Sequence, residues 1–132
     1  FVQSVIDRLG LAGAEVLTGR AEDLAHRSDL RETHDLAVAR ALAPLPVLLE
    51  LTLPFVRISG SLILHKTWPW AAELAAAEAA RDRLGGAWQD LPKEPPDEGS
   101  RRTLIAVAKV APTPETYPRR SGIPAKRPIG SA

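Results

Sequence analysis

Three clusters of polar side chains each come directly after a short apolar run. They occupy residues 19–22, 40–42 and 65–68. Open α/β sheets bind ligands outside the carboxyl ends of their strands, so these positions predict a binding edge. A carboxylate such as Glu22 can accept a hydrogen bond from a ligand amine or hydroxyl, and Arg40 can hold a carboxylate or phosphate with two parallel bonds. For each residue taken singly, an ion pair at a strand end remains the alternative.

The sequence contains no recognisable catalytic constellation and no predicted metal site. His26, His34 and His65 lack the mutual spacing of metal ligands, and no Ser-His-Asp arrangement or carboxylate pair stands out. Cysteine is absent, which excludes disulfides, thiolate zinc sites and cysteine nucleophiles and fits a reducing cytoplasm. No GxGxxG string occurs either, because the pair Gly85-Gly86 falls at the end of a predicted helix.

Charge is distributed unevenly along the chain. Residues 1–100 carry a net charge of −5, whereas residues 101–132 carry +6. A basic end on an acidic body favours a nucleic-acid partner, with a solvated tail as the alternative. The candidates for phosphate binding are Arg101, Arg102, Arg119, Arg120, Lys126 and Arg127. Three aromatic residues could stack on a base, although packing at a helix start explains the first two equally well: Trp68, Trp70 and Tyr117.

The hydrophobic pattern predicts alternating helices and strands, followed by an extended proline-rich tail. Helices are predicted at 1–9, 45–56 and 69–84, and strands at 14–17, 36–39, 61–65, 87–91 and 103–110. This order indicates an α/β fold with a doubly wound, mainly parallel sheet. The last two strands have no helix between them and should pair antiparallel. Residues 1–110 are expected to form one domain and residues 111–132 its basic tail.

The opening of the chain bears on its completeness. It begins at Phe1 inside an amphipathic run, without methionine, which predicts that an upstream part is missing. No apolar run approaches the roughly 18 residues that a membrane span needs. The sequence therefore predicts a soluble cytoplasmic protein that is not bound to a membrane. We also expect the protein to be a monomer.

Several strings of residues resemble one bacterial family. They are GRAEDLAH at 19–26, ARALAPLPVLLELTLPF at 39–55, GSLILHK at 60–66, and the closing strings RRTLIAVAKV and YPRRSGIPAKRP. Together they resemble the 16S rRNA guanine-N7 methyltransferase family (RsmG, also called glucose-inhibited division protein B), over nearly the whole chain. YPRR followed by GIPAK is the most specific of these patterns.

The resemblance implies a Rossmann-like enzyme that transfers a methyl group from S-adenosylmethionine to guanine N7, with 16S ribosomal RNA or the small ribosomal subunit as partner. It assigns Ala21 and Glu22 to the adenosine part of the cofactor and Arg40 to the same site. It also favours RNA contacts for Arg119 and Arg120. Guanine N7 already carries a nucleophilic lone pair, so catalysis can consist mostly of alignment, and no catalytic residue is predicted.

Two departures from the family pattern limit this expectation. The family often has Lys-Gly where this chain has Lys66-Thr67, which leaves the role of that loop open. The family's glycine-rich loop and first two strands have no counterpart in residues 1–132, and those strands would lie between 14–17 and 36–39. The chain alone is therefore expected to be the C-terminal part of the enzyme and inactive.

Two other classes of protein remain open. One is a noncatalytic RNA- or ribosome-binding module whose α/β body presents the basic tail. The other is a receiver or flavodoxin-like domain, which leaves the closing strings unexplained.

Overall fold

The computed structural model describes residues 1–40, 43–67, 70–89 and 102–131. The helices are α1 (Val2–Leu9), α2 (Ala21–Leu24), α3 (Leu45–Thr52), α4 (Ala71–Arg83) and α5 (Ile123–Lys126), with a 3-10 turn at Leu53–Phe55 after α3. The strands are β1 (His34–Arg40), β2 (Val56–Thr67), β3 (Gly86–Gln89) and β4 (Arg102–Lys109). No helix in the described part of the chain is long and apolar enough to cross a membrane.

The four strands form one mixed sheet in the order β1-β2-β4-β3. Strands β1 and β2 are parallel, whereas β4 runs antiparallel to both β2 and β3. The expected antiparallel pairing of the last two strands is confirmed. Arg40 lies opposite His65 in the parallel pair, so the carboxyl ends of β1 and β2 meet at one edge.

The core lies between the sheet and helices α3 and α4. Strands β2 and β4 direct alternate side chains toward it, including Leu62, Leu64, Ile105 and Val107, all fully buried. Helix α4 contributes the small buried residues Ala77 and Ala80, which allow a close approach of the helix. The other face of the sheet carries apolar residues that are half exposed or more, namely Leu36, Val38 and Leu104.

The helix predicted over 45–56 is shorter than expected. It ends at Thr52, and Pro54 lies in the 3-10 turn that follows, because proline cannot continue the hydrogen-bond ladder of a helix. Val56 already belongs to β2, five residues before the predicted strand begins. The early part of β2 carries an irregularity, since the register with β1 shifts there and Ser59 has a φ of 69°.

The strand predicted at 14–17 does not form, and this prediction was wrong. Residues 14–17 pair with no described strand, and β1 has β2 as its one described neighbour. A strand needs a neighbour to satisfy its backbone groups, so an apolar run without one stays irregular. Helix α1, in contrast, forms as predicted and ends at Gly10, although none of its residues is buried.

The prediction that the long alanine-rich helix, α4, ends before the pair Gly85-Gly86 is confirmed. Gly85 has a φ of 77°, and its carbonyl accepts hydrogen bonds from the amides of Val110 and Ala111, at 2.8 and 3.2 Å. This contact brings the start of the tail against the end of α4. The strand predicted at 87–91 is observed as Gly86–Gln89, and residues 90–101, including the predicted loop 93–100, lie outside the described residues.

The C-terminal tail packs onto the body of the molecule. Ile129 is 3% exposed and belongs to the core cluster, and Thr113 is also buried. The tail contains the one-turn helix α5, so the expectation of an entirely extended tail was wrong. Pro124 lies in the first turn of α5, where a missing amide hydrogen costs the helix nothing.

Candidate functional site

The carboxyl ends of β1 and β2 border a cavity of about 560 Å³. Its described lining holds three cationic side chains, Arg40, Lys66 and Arg102, and one carboxylate, Glu73. The remaining lining residues are Ala43, Leu48, His65, Thr67 and Thr103. The cavity therefore lies at the sheet edge that the strand rule indicated, and its surroundings favour an anionic or electron-rich ligand.

Glu73 connects three elements on the wall of this cavity. Its Oε2 atom accepts a hydrogen bond from the Lys66 ammonium at 2.6 Å and one from the backbone amide of Leu45 at 3.0 Å. Lys66 lies near the end of β2, Leu45 begins α3, and Glu73 lies in the first turn of α4. The Lys66 side chain is 12% exposed, so its ammonium is held in a partly desolvated position.

A second, more apolar cavity of about 430 Å³ lies against β1. Ala21, Val38 and Phe55 line it, and Arg40 lines both cavities. The other lining residues are Ala37, Ala39, Leu51 and Thr52. Arg40 thus stands between an apolar space and a polar one, and the structure brings together Ala21 and Arg40 of the three predicted cofactor residues.

Glu22, the third predicted cofactor residue, is 4% exposed and makes contacts within the protein. Its Oε1 accepts hydrogen bonds from the Arg20 guanidinium at 3.2 Å and from the backbone amide of Gly122 at 3.1 Å. Burial favours the neutral form of the Glu22 carboxyl, but hydrogen bonds from its own amide, Gly122 and Arg20 outweigh this and lower its pKa. Glu22 therefore fastens the tail to the start of α2.

Arg119 of the tail is engaged by a buried carboxylate. Glu50, fully buried in α3, accepts hydrogen bonds from the Arg119 backbone amide at 2.8 Å, from Nε at 2.9 Å and from the terminal guanidinium nitrogen at 2.6 Å. The hydrogen bonds to Glu50 raise the pKa of the Arg119 guanidinium. Tyr117 lies beside it, with the guanidinium carbon 6.0 Å from the ring centroid. The two guanidinium nitrogens of Arg119 bond the two carboxylate oxygens of Glu50, and such a bidentate ion pair is stronger than a single contact.

Arg31 holds the preceding part of the tail through backbone carbonyls. Its guanidinium donates to the carbonyls of Ala25, Tyr117, Thr113 and Pro114 at 2.9–3.1 Å. These bonds join the end of α2 to the tail around the turn that residues 114–117 form. Arginine suits this task because its five N–H groups point in fixed directions.

Three carboxylates, Glu22, Glu50 and Glu32, hold the tail, and we call these contacts the clamps. Lys109 is the centre of the third clamp, at the end of β4. Its side chain is fully buried, and its ammonium contacts Glu32 at 2.9 Å and the carbonyl of Leu53 at 3.0 Å and donates to the Thr113 hydroxyl. Burial lowers the pKa of Lys109, against the opposing effect of Glu32. Burial works to raise the pKa of Glu32, but bonds from the Thr113 amide and Lys109 outweigh it, so that pKa is lowered.

Sequence reasoning missed Arg31, Glu32, Glu50 and Lys109 as structural residues. One signal was present for Glu50, a single acid inside the apolar run LLELTL, where burial demands a partner. Lys109 likewise interrupts an apolar run, IAVAKVA, so the same signal was present there. Arg31 and Glu32 lie among ordinary polar residues, and their partners in the tail are about 80 positions away.

The predicted RNA-binding residues occupy different environments. Arg120, Lys126 and Arg127 are exposed on the tail, and Arg102 is exposed at the first cavity. Arg119 is half-buried on Glu50, and Arg101 lies outside the described residues. Of the aromatic candidates, Trp70 is buried in the core, Tyr117 is half-buried, and Trp68 lies outside the described residues.

Comparison with known proteins gives consistent results. A family model described as rRNA small subunit methyltransferase G (GidB) matches residues 1–94. Two proteins named ribosomal RNA small subunit methyltransferase G, from Oenococcus oeni and Symbiobacterium thermophilum, are 42% and 45% identical over 98% and 96% of this chain. The chain covers 54% and 52% of their lengths, so it spans about half of these relatives.

A solved structure supports the fold. The crystal structure of an rRNA methylase from Streptococcus thermophilus matches with a TM-score of 0.57 at 17% identity, over 83% of this chain and 65% of that one. The fold is thus a Rossmann-like α/β sheet, as the resemblance implied. On the match over residues 1–94 and the identity to these relatives, the chain belongs to the rRNA small subunit methyltransferase G family.

Proposed function

We propose that the complete protein carrying this chain transfers a methyl group from S-adenosylmethionine to guanine N7 in 16S ribosomal RNA. Family membership supports the methyltransferase class, and it disfavours a receiver or flavodoxin-like domain. The observation that carries the proposal is the pair of cavities that share Arg40 at the carboxyl ends of β1 and β2. The cavity against β1 is apolar and the other cavity is polar and cationic. The two cavities therefore suit two different ligands, a methyl donor and an acceptor, that have to come into contact.

The apolar cavity fits the adenosine part of the cofactor. Ala21 and Val38 offer small or flat apolar contacts for a purine ring, and Arg40 closes one side. We assign Ala21 and Arg40 to direct contact. Glu22 is assigned to the same region, where it secures the start of α2 through the bond from Gly122.

The polar cavity is proposed to receive the target nucleotide. Arg102 and Lys66 supply donors for a phosphate or for guanine O6, which leaves the N7 lone pair free to accept the methyl group. The sulfonium group of the cofactor supplies an activated methyl group when bound. The protein's own contribution is to hold N7 in line and to exclude water, because the N7 lone pair needs no base.

Exposed cations on the tail are a second group of proposed RNA contacts, in addition to those at the polar cavity. Arg120, Lys126 and Arg127 are proposed to contact RNA phosphates. Their position follows from the clamps on Glu22 and Glu50, which fix the tail against α2 and α3. The cytoplasm is the compartment that this substrate implies.

The test is methylation of 16S RNA, free and in small subunits, by the complete protein, read as 7-methylguanosine by mass spectrometry. Arg40→Ala should lower S-adenosylmethionine affinity by about tenfold or more, since a charge-assisted contact is lost. Arg57→Ala is the matched control, because Arg57 lies on the same sheet but pairs with Asp35 away from both cavities. RNA binding without cofactor binding by the complete protein would favour a noncatalytic RNA-binding module instead.

A further inference from the structure

We propose that Glu73 is a positioning residue for methyl transfer, holding Lys66 and the start of α3 on the wall of the acceptor cavity. The inference rests on the proposed function and adds a residue that no sequence pattern singled out. One oxygen of Glu73 accepts hydrogen bonds from both the Lys66 ammonium and the Leu45 amide.

Geometry makes Glu73 a shared anchor. A carboxylate oxygen has two acceptor sites, so both bonds to Oε2 exist at once. The two donors belong to neighbouring parts of the sheet edge. Lys66 lies near the end of β2, one residue beyond the position opposite Arg40, and Leu45 begins α3, the next described element after β1. Moving Glu73 therefore moves two walls of the cavity together.

Charge gives the anchor a chemical consequence. Arg40, Lys66 and Arg102 are cationic, and Glu73 is the one carboxylate in the described lining. Methyl transfer to N7 places positive charge on the guanine ring as the bond forms. The Glu73 carboxylate offsets the Lys66 ammonium and orients it. Among the described residues Lys66 donates to Glu73, and an ammonium has two further N–H groups that can reach an acceptor on the nucleotide.

Stability alone does not account for this arrangement. Glu73 is 37% exposed, and ion pairs at that exposure contribute little to folding. A carboxylate in the first turn of a helix also gains only a small stabilisation from the helix dipole. The loss of Glu73 should therefore change catalysis much more than the melting temperature.

The experiment compares Glu73→Gln with Glu78→Gln in the complete protein. Glu78 lies on the same helix and accepts from Trp88 and Arg81, but it does not line the cavity. Glu73→Gln should lower kcat on 16S RNA by about 10- to 100-fold, as misplacement of reacting groups does, with S-adenosylmethionine affinity and melting temperature unchanged. Glu78→Gln should stay within about twofold of wild type.

A double-mutant cycle with Lys66→Met supplies the decisive readout. If Glu73 acts in part through Lys66, the loss in the double variant is smaller than the product of the two single losses, whereas independent roles give multiplied losses. Full activity of Glu73→Gln in an active enzyme, or multiplied losses in the cycle, overturns the inference and leaves the proposed function intact. A wild-type protein that methylates no guanine overturns the proposed function, and the inference falls with it.

Discussion

At the scale of single residues, two neighbouring arginines of the tail differ in their environment. Arg119 places its guanidinium on the buried Glu50 carboxylate, whereas Arg120 is exposed. Sequence analysis predicted a phosphate contact for each of them. Only the three-dimensional position of Glu50, 69 residues earlier, separates them.

Replacing each arginine separately should reveal this difference. Arg120→Gln should reduce the slope of log RNA affinity against log salt by roughly 0.7–0.9, the effect of one phosphate contact, at unchanged stability. Arg119→Gln should instead lower the free energy of unfolding by about 3–5 kcal/mol, since it leaves a buried carboxylate unpaired. Salt titrations and urea unfolding of the complete protein measure both quantities. Equal effects of the two changes on the slope would contradict the assignment.

At the scale of elements, the turn after α4 joins the helix to the tail. A Cβ atom at Gly85 would lie 2.0 Å from the carbonyl oxygen of Ala111, and its φ of 77° disfavours any other residue. Gly10 ends α1 with a similar φ of 61°, but a Cβ there would meet no atom within 4 Å. The two glycines thus share a backbone conformation and differ in their surroundings.

This pair supports a controlled comparison of Gly85→Ala with Gly10→Ala. Gly10→Ala should cost about 1–2 kcal/mol of unfolding free energy, the cost of a left-handed conformation for an L-residue. Gly85→Ala should cost clearly more, because the tail must also move away from α4. Urea unfolding curves of the two variants are the measurement. Similar midpoints would show that the close approach of Ala111 to Gly85 does not affect the free energy of unfolding.

Prediction of elements from sequence succeeded where the pattern was local. The apolar run at 61–65, the alanine-rich helix and its glycine stop, and the antiparallel last pair all agree with the structure. It failed where a distant partner decides the outcome. Residues 14–17 have strand-like residues but no described neighbour, and Pro54 turned the end of a predicted helix into a 3-10 turn.

At the scale of the whole molecule, three carboxylates hold the tail against the body; Glu22 and Glu50 are buried and Glu32 is partly exposed. Glu22 accepts from Gly122, Glu32 from Thr113 and Lys109, and Glu50 from Arg119. The sheet edge with Arg40 was predictable, because the ends of β1 and β2 follow from apolar runs. Ala21 follows no strand in the described residues, and its assignment came from the family resemblance. The clamps were not predictable, because they join residues separated by 69 to 100 positions.

The clamps give stability a defined dependence on acid. The pKa values of Glu22 and Glu32 are lowered in the folded protein. Their contribution is therefore complete above the ordinary carboxyl pKa and is lost as the pH falls through the acid range, where the unfolded chain takes up protons first. Melting temperatures of the complete protein from pH 7 to pH 3 should fall, and the decline should be shallower in a variant carrying Glu22→Gln and Glu32→Gln. An equal decline in that variant would contradict the role of these two carboxylates.

The fully buried Glu50 also bears on how the chain emerges from the ribosome. Helix α3 is synthesised long before Arg119, so during that interval its carboxylate has no guanidinium to receive it. A buried anion without a partner is strongly disfavoured, so Glu50 would have to be buried in its protonated form or wait for Arg119. We therefore expect α3 to settle fully into the core only after residue 119 has been synthesised.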